Sequence, residues 1–218
     1  MDVIQAMRTT GTCRYFNDKP VPDEVLLSAF DAARFAPQGG NRQPVRWVVV
    51  RDAEHKRLLR DWYLQPWKAY LAGIGVGDVR IGAMPRAVID ADHFAEHLHE
   101  VPAIVVQCAE LDGLHPTDLD SGRLSVVGGG SIYPTTQNFC LALRAQGVAS
   151  ALTTLLCHYE PQVKDLLGIP DGVITAAHIA VGYPATGFPT RLSRLPARDV
   201  VFAESYGTSF TTSGAAGH

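Results

Sequence analysis

Apolar side chains recur at helical spacing in several stretches of the chain. Those between positions 25 and 33 predict a helix that begins at an Asp23 N-cap and runs through Phe35. A longer helix is predicted over 132–146, with Ser131 as its N-cap. Shorter helices are predicted at 2–9, 53–63, 91–99 and 160–167.

Runs of β-branched and other apolar residues predict the strands. They lie at 45–50, 101–109 and 173–181. The glycine-rich stretch 71–82 has no clear period and predicts a mobile excursion. No repeat or linker interrupts the chain, and the strands and helices do not alternate strictly. We therefore expect one α+β domain over 1–206, followed by a disordered tail at 207–218.

Composition narrows the classes of protein to consider. Of 218 residues, 46% are hydrophobic and 19% are charged. The charged share is below the ~25% of typical domains, so we expect a subunit interface to cover apolar surface. The net charge of −3 is spread without a block of like charge, which argues against a nucleic-acid partner. Without a leader segment or an apolar run near ~20 residues, a cytoplasmic protein with no membrane partner is expected.

One short motif suggests a metal site. Residues 93–97 read H-F-A-E-H, which is the H-x-x-E-H pattern of inverted zincins. It predicts a metallohydrolase with His93, Glu96 and His97 at its centre. The alternative is the polar face of a surface helix, and the sequence favours it because zinc needs a third protein ligand that no other residue suggests.

Other catalytic signatures are missing or incomplete. Glycines at 75–77 and 128–130 complete neither a dinucleotide fingerprint nor a phosphate loop, and there is no G-x-S-x-G elbow. The cysteines form no C-x-x-C pair and indicate neither a disulfide framework nor a zinc site; they are Cys13, Cys108, Cys140 and Cys157. The pattern is typical of a chain that takes its chemistry from a cofactor.

Three segments carry a resemblance to a known family. Residues 10–16 read T-G-T-C-R-Y-F, 21–23 read V-P-D, and 36–47 read A-P-Q-G-G-N-R-Q-P-V-R-W. In this order they resemble the flavin-dependent nitroreductases, whose blocks read R-R-S-x-R-x-F, V-P-[DE] and A-P-S-x-x-N-x-Q-P-W. The Q-N pair at 137–138 and the pieces V-G-Y-P at 181–184 and S-R-L-P at 193–196 also agree. The likeness extends from about residue 3 to residue 202.

The resemblance implies a fold and an activity. The expected fold is an α+β sandwich in which helices flank a mostly antiparallel sheet, and the expected assembly is an intertwined homodimer with FMN at its interface. NADH or NADPH reduces the flavin by a ping-pong scheme, and hydride then leaves flavin N5 for a nitroaromatic, quinone or enone acceptor. No side chain acts as a nucleophile.

The resemblance also implies cofactor contacts. Arg14 approaches the pyrimidine edge of the flavin, where a positive group stabilises the reduced form. Arg194, joined by Arg191, meets the phosphate, because guanidinium groups bind phosphate oxygens in bidentate geometry. The loop 37–43 is expected to hold the flavin ring and the ribityl chain, through Pro37, Gln38, Gly39, Asn41 and Gln43. The segment 153–155 is expected to lie at flavin N5, through Thr153, Thr154 and Leu155.

One block departs from the family pattern. Thr10 and Thr12 stand where the family has Arg and Ser, so two hydroxyls keep hydrogen bonds while one cationic contact is lost. Arg8 lies two positions upstream and is the candidate to replace that cation. The altered block motivates an alternative function, a flavin-binding or flavin-sequestering protein without turnover.

The sequence says least about the residues that form the walls of the pocket for the electron acceptor. Aromatic side chains stand in the variable region at 62–85, at Trp62, Trp67 and Tyr70. Stacking on an aromatic substrate and packing in the core are equally compatible with these positions. The sequence therefore names neither the acceptor nor the preferred nicotinamide.

Overall fold

The computed structural model describes residues 1–81 and 84–210. Its α-helices are α1 (Val3–Thr9), α2 (Asp23–Ala33), α3 (Ala53–Gly73), α4 (Arg86–Glu96), α5 (Tyr133–Ala145) and α6 (Glu160–Leu167). Its strands are β1 (Val45–Val50), β2 (Ala103–Glu110), β3 (Ala149–Thr153) and β4 (Val173–Gly182). The predicted α+β class is confirmed.

The strands form one antiparallel sheet in the order β1-β2-β4-β3. The two central strands are buried along almost their whole length, because helices cover both faces. Helices α2 and α5 pack on one face around Phe139 and Leu143. Helices α3 and α4 pack on the other face around Leu59 and Phe94. The predicted sandwich with an antiparallel centre is thus confirmed.

The segment after α1 pairs with the sheet through backbone hydrogen bonds. Thr12 bridges Ser150 of β3 in parallel, and the Cys13 N–H donates to the Ser150 carbonyl over 2.9 Å. Four residues on, Phe16 bridges Pro184, just beyond β4. The chain that leaves β4 therefore turns back along the N-terminal segment.

Helix α3 is ten residues longer than the sequence predicted. It continues through Pro66 to Gly73. A proline inside a helix removes one backbone hydrogen bond, which opposes continuation. Here the second half is held by tertiary packing, because Leu71 is buried and Trp67 packs on the core. The start of the glycine-rich stretch 71–82 therefore belongs to a helix.

Two smaller predictions also differ from the structure. The helix predicted after Ser131 begins at Tyr133, and the Ser131 hydroxyl accepts from the Gly39 N–H instead of capping it. Strand β3 falls in a stretch to which the pattern assigned no element. In the predicted tail, residues 207–209 belong to a turn that is closed by the pairing of Phe202 with Ser209. Residues 211–218 lie outside the described residues.

Two of the three aromatic residues considered for the acceptor pocket, Trp62 and Trp67, pack against the core. Trp67 donates its indole N–H to Asp92 over 2.7 Å, and Trp62 stacks on Tyr159 with ring centroids 6.4 Å apart. Tyr70 is exposed beside Trp67. In the part of the chain that the structure describes, no helix combines the length and apolarity needed to span a membrane, and the cytoplasmic location stays a prediction.

His178 is an unusual member of the core. It lies in the middle of β4, opposite Val106 on one neighbouring strand and Thr153 on the other. The residue is 1% exposed, and neither ring nitrogen has a hydrogen-bond partner. Burial therefore lowers the pKa of His178 from 6.5 to about 4.

We predict that His178 makes the fold sensitive to acid. Between pH 6.5 and about 4 the unfolded chain binds a proton that the folded chain does not, so stability falls as the pH drops through that window. The full effect is about 3 kcal/mol. Replacing His178 by Leu removes the proton site at similar volume, and urea unfolding at pH 4.5 and pH 7 measures the change.

The matched control is His55→Leu, on the first turn of α3. It leaves the core histidine in place and therefore keeps the acid sensitivity of the wild type. An undiminished loss of stability at pH 4.5 in the His178→Leu protein would contradict the assignment.

Candidate functional site

The first element of the site is a cavity that we call the arginine cavity. It has a volume of about 690 Å³ and lies between the end of α1, the middle of α5 and the chain after β4. Its lining includes three cations, Arg8, Arg191 and Arg194. The remaining residues are Met7, Thr10, Gln137, Thr190 and Leu192. The structure thus brings together four residues predicted to lie at the phosphate, together with Gln137.

The segment after α1 and the chain after β4 pass close to each other at the arginine cavity. A Cβ on Gly11 would lie 3.1 Å from Leu192 and 3.2 Å from Pro189, tighter than most contacts in proteins. Glycine therefore lets the returning chain pass close to the segment after α1. Arg191 and Arg194 reach the end of α1 for this reason.

The charge in the arginine cavity is unbalanced. Within residues 1–81 and 84–210, none of Arg8, Arg191 and Arg194 forms an ion pair, and the lining contains no acidic side chain. The Thr10 hydroxyl donates to the Ala6 carbonyl over 2.7 Å. Clustered guanidinium groups without a counter-ion repel one another and attract a dianion. This donor set fits the phosphate of FMN.

The second element is the loop 37–43, which leads into β1. Gly40, Asn41 and Gln43 all have positive φ angles, of 60°, 53° and 51°. Glycine and asparagine tolerate this conformation, but in glutamine it is strained. The Gln38 Oε1 is buried without a hydrogen-bond partner. The loop thus holds a strained backbone and an unsatisfied acceptor, which fits a hydroxyl or ring N–H donor.

A smaller space, the loop cavity, adjoins this segment. It has a volume of about 360 Å³ and is lined by Pro37, Gln38 and Gly39 together with parts of 113–115 and 127–131. The Gly39 N–H donates to the Ser131 hydroxyl over 3.0 Å, which fixes the loop to the start of α5. The loop cavity and the arginine cavity have no lining residue in common. Asn41 and Gln43 line neither of them.

The third element is a larger space, the apolar cavity, of about 820 Å³. Its walls come from the chain before α5, the turn after β3 and the start of β4. Apolar side chains such as Leu114, Ile132 and Ile174 form much of the lining, and Thr154, Cys157 and His158 add polar groups. Such a space suits a flat apolar ligand with few polar anchors.

Helix α5 connects these spaces. Tyr133 lines the apolar cavity, and Gln137, four residues later on the same helix face, lines the arginine cavity. The two positions differ by about 6 Å along the helix axis. Gly128 lines both the apolar cavity and the loop cavity. The arginine cavity, the apolar cavity and the loop cavity are therefore neighbours around α5 and the chain before it.

The segment 153–155, which was predicted to lie at flavin N5, is at the end of β3, and β3 also pairs with the N-terminal segment at Thr12. Thr12 is paired with Ser150, so Thr153 lies about 10 Å further along the same strand. The Leu155 N–H donates to the Thr153 hydroxyl over 3.3 Å, and Leu155 packs on the core. Of the three predicted residues, Thr154 faces the apolar cavity.

Arg14 has a different position from the other predicted cations. Its guanidinium lies 5.1 Å from the centre of the Phe94 ring, in a small space that also contains His93 and Glu100. Burial lowers the pKa of Arg14, and burial raises the pKa of the neighbouring Tyr63. The predicted approach of Arg14 to the pyrimidine edge stays a prediction.

The H-x-x-E-H residues lie on α4 and its C-terminal end. Glu96 pairs with Lys68 over 2.6 Å, and the His97 ring pairs with Glu100 over 2.9 Å. His93 stacks on Tyr15 with ring centroids 4.4 Å apart. Throughout the described parts of the chain, no three His, Cys, Asp or Glu residues are arranged to hold a metal ion. These contacts are those of a polar helix face.

Two residues near the site were missed as ligand-binding candidates. Gln137 belongs to a Q-N pair in α5 that also resembles the family, and that pair was the available signal. Ser131 was interpreted only as a helix cap. Its contact with Gly39 depends on a tertiary approach across 92 positions, which no local pattern indicates.

The chain matches the family model described as "Nitroreductase family" over residues 7–183. It is 30% identical to an NADH dehydrogenase of Thermus thermophilus over 212 residues, which cover 92% of this chain and 95% of the relative. It is also 28% identical to the iodotyrosine deiodinase of Drosophila melanogaster over 190 residues, which cover 85% of this chain and 63% of the relative.

Solved structures show the same fold. The FMN- and NADPH-dependent nitroreductase NfnB from Sphigopyxis sp. strain HMH has a TM-score of 0.69 at 18% identity, covering 94% of this chain and all of the other. The NADPH:FMN oxidoreductase of Vibrio harveyi, solved with NAD+, has a TM-score of 0.67 at 21% identity, covering 94% of this chain and 77% of the other. On its sequence and its fold, the chain belongs to the nitroreductase family.

Proposed function

We propose that the protein is an FMN-dependent NAD(P)H oxidoreductase that reduces a small organic acceptor, such as a nitroaromatic, a quinone or an enone. The observation that carries the proposal is the arginine cavity, where three guanidinium groups have no acidic partner among the residues that the structure describes. The relatives named as NADH dehydrogenase and as FMN-dependent nitroreductase support it. Bound FMN would supply the two-electron chemistry that no side chain provides.

The chain's own residues would bind and orient the cofactor. Arg8, Arg191 and Arg194 would hold the phosphate, and the Thr10 hydroxyl would bind it only by turning its hydrogen from the Ala6 carbonyl toward a phosphate oxygen. Arg8 thereby replaces the cation that the family carries at position 10. The buried Gln38 Oε1 would accept from the cofactor, and Thr154 would lie beside its reactive region at the wall of the apolar cavity.

We also propose that the site is completed in a homodimer. The loop cavity and the arginine cavity are separate within one protomer, so the loop 37–43 of a second copy is the candidate to close the cofactor site. Apolar side chains that a subunit interface would cover are exposed on α1 and on the chain after β4; they include Val3, Ile4, Met7, Leu195 and Val200.

The first prediction tests the activity itself. The purified protein, supplied with FMN, is expected to show a flavin absorption spectrum that bleaches on anaerobic addition of NADH or NADPH and returns on addition of a quinone. Repeated cycles with excess reductant would contradict the alternative of a flavin-sequestering protein. A protein that carries no flavin after incubation with FMN and removal of free FMN by gel filtration would overturn the proposed function.

A second prediction concerns the phosphate. Replacing Arg8 or Arg194 by Ala removes a charged hydrogen bond worth about 2 kcal/mol, so the Kd for FMN is expected to rise at least about tenfold. Fluorescence titration measures this change. Riboflavin lacks the phosphate, and its affinity is therefore expected to stay the same.

The control for this experiment is Arg198→Ala. Arg198 lies four residues beyond Arg194 but outside the cavity lining, where it approaches Asp199 at 3.7 Å. Its replacement is expected to leave FMN binding unchanged. Equal losses for riboflavin and FMN in the Arg8→Ala protein would count against a phosphate site.

A third prediction concerns assembly. Sedimentation equilibrium at micromolar concentration is expected to give twice the 23.6 kDa mass of the chain. Exposing the apolar side chains of α1 to solvent is unfavourable, so Met7→Glu, at the rim of the arginine cavity, is expected to shift the equilibrium toward the monomer. A monomer that retains FMN with full affinity would contradict a shared site.

A further inference from the structure

The apolar cavity contains one polar side chain that the proposed cofactor site does not use. His158 lines the cavity and is solvent-exposed, and in the described part of the chain its ring forms no hydrogen bond and no ion pair. The other polar groups of the wall are occupied. The Tyr133 hydroxyl donates to the Ala176 carbonyl at 3.4 Å, and the Cys157 thiol donates to the Thr175 carbonyl at 3.5 Å.

The backbone that carries His158 is firmly held. It belongs to the short 3-10 helix Leu155–Tyr159, which follows Thr154 directly. Leu156 is fully buried in the core, and Cys157 is tied to β4 through its thiol. The backbone of His158 therefore keeps a fixed position relative to Thr154. His158 therefore faces the same space as the residue beside which the cofactor is proposed to react.

Reduction of a quinone needs a proton as well as electrons. One hydride equivalent, which the proposed NAD(P)H activity supplies, adds to the quinone and leaves one oxygen as an anion. That oxygen then takes one proton, and the product is the hydroquinone. Apolar walls offer little stabilisation to an oxyanion, so a proton donor at the wall lowers the barrier.

We propose that His158 is this donor, and that the apolar cavity binds a quinone-type acceptor with one oxygen toward the imidazole. An N–H bond of the imidazolium breaks as the O–H bond of the hydroquinone forms. Because His158 is also exposed, the imidazole recovers its proton from solvent before the next cycle. The assignment rests on the proposed function and adds a catalytic residue to it.

Several other titratable groups lie near His158. Cys157 and Tyr133 line the same cavity, and burial raises the pKa of the Cys157 thiol, which keeps it neutral. Glu160 lies two residues beyond and accepts from the backbone and hydroxyl of Thr175. Of these groups, the imidazole is the one that most often acts as a general acid in enzymes.

The test compares His158→Gln with the wild type, both loaded with FMN. Glutamine keeps a hydrogen-bond donor but does not transfer a proton. Stopped-flow absorbance measures bleaching by NADH or NADPH, then the return of colour with a quinone. We expect the first rate to be unchanged and the second to fall about 100-fold. The wild-type rate with quinone should decline as the pH rises from 5 to 8, and the rate of the variant should not.

Ferricyanide accepts one electron and no proton. Its rate of reduction therefore distinguishes a loss of proton transfer from a general disruption of the site by the substitution. The His158→Gln protein is expected to reduce ferricyanide at the wild-type rate. His55→Gln, whose side chain lines none of the cavities described above, is the matched control and should behave as wild type with every acceptor.

Three results would overturn the assignment. An unchanged quinone rate in His158→Gln would remove the proton-donor role. An equal loss with ferricyanide would show that the residue only maintains the cavity. A wild-type protein that does not bleach with NADH or NADPH would refute the proposed function itself, which the first two results leave standing.

Discussion

The arrangement of the site depends on the backbone pairing of residues 12–17 with the edge of the sheet. Cys13 donates to Ser150 of β3, Asn17 donates to Tyr183 after β4, and Ala185 donates back to Tyr15. These hydrogen bonds join the N-terminal block to both the strand that carries Thr153 and the chain that carries Arg194. Without them, the cations of the arginine cavity would belong to unrelated parts of the molecule.

The sheet and most helices were predictable because their sequences are locally consistent. Strand β1 occupies the predicted residues because valine has a high β propensity, although only Val50 of this edge strand is buried. Helix α3 was predicted too short, because Pro66 is a strong local signal for termination and the packing of Leu71 is a tertiary effect. Strand β3, with its small residues, has no periodic pattern of its own, and its pairing with β4 defines it.

The candidate site was predictable where a block of sequence stays together in the fold. Arg8, Thr10, Arg191 and Arg194, which the sequence assigns to the phosphate, line one cavity, and their contact with a cofactor stays a prediction. The contact of Ser131 with Gly39 was not predictable, because it joins distant segments. The position of Arg14 against Phe94 also depends on where α4 packs, and this is a property of the assembled domain.

Helix α1 couples binding of the proposed cofactor to formation of the proposed dimer. It has only seven residues, and helices of this length are unstable alone in water. It carries the exposed Val3, Ile4 and Met7 next to Arg8, so any contact that orders the helix also orders the cation. Subunit association and cofactor retention are then thermodynamically linked, and by reciprocity each strengthens the other.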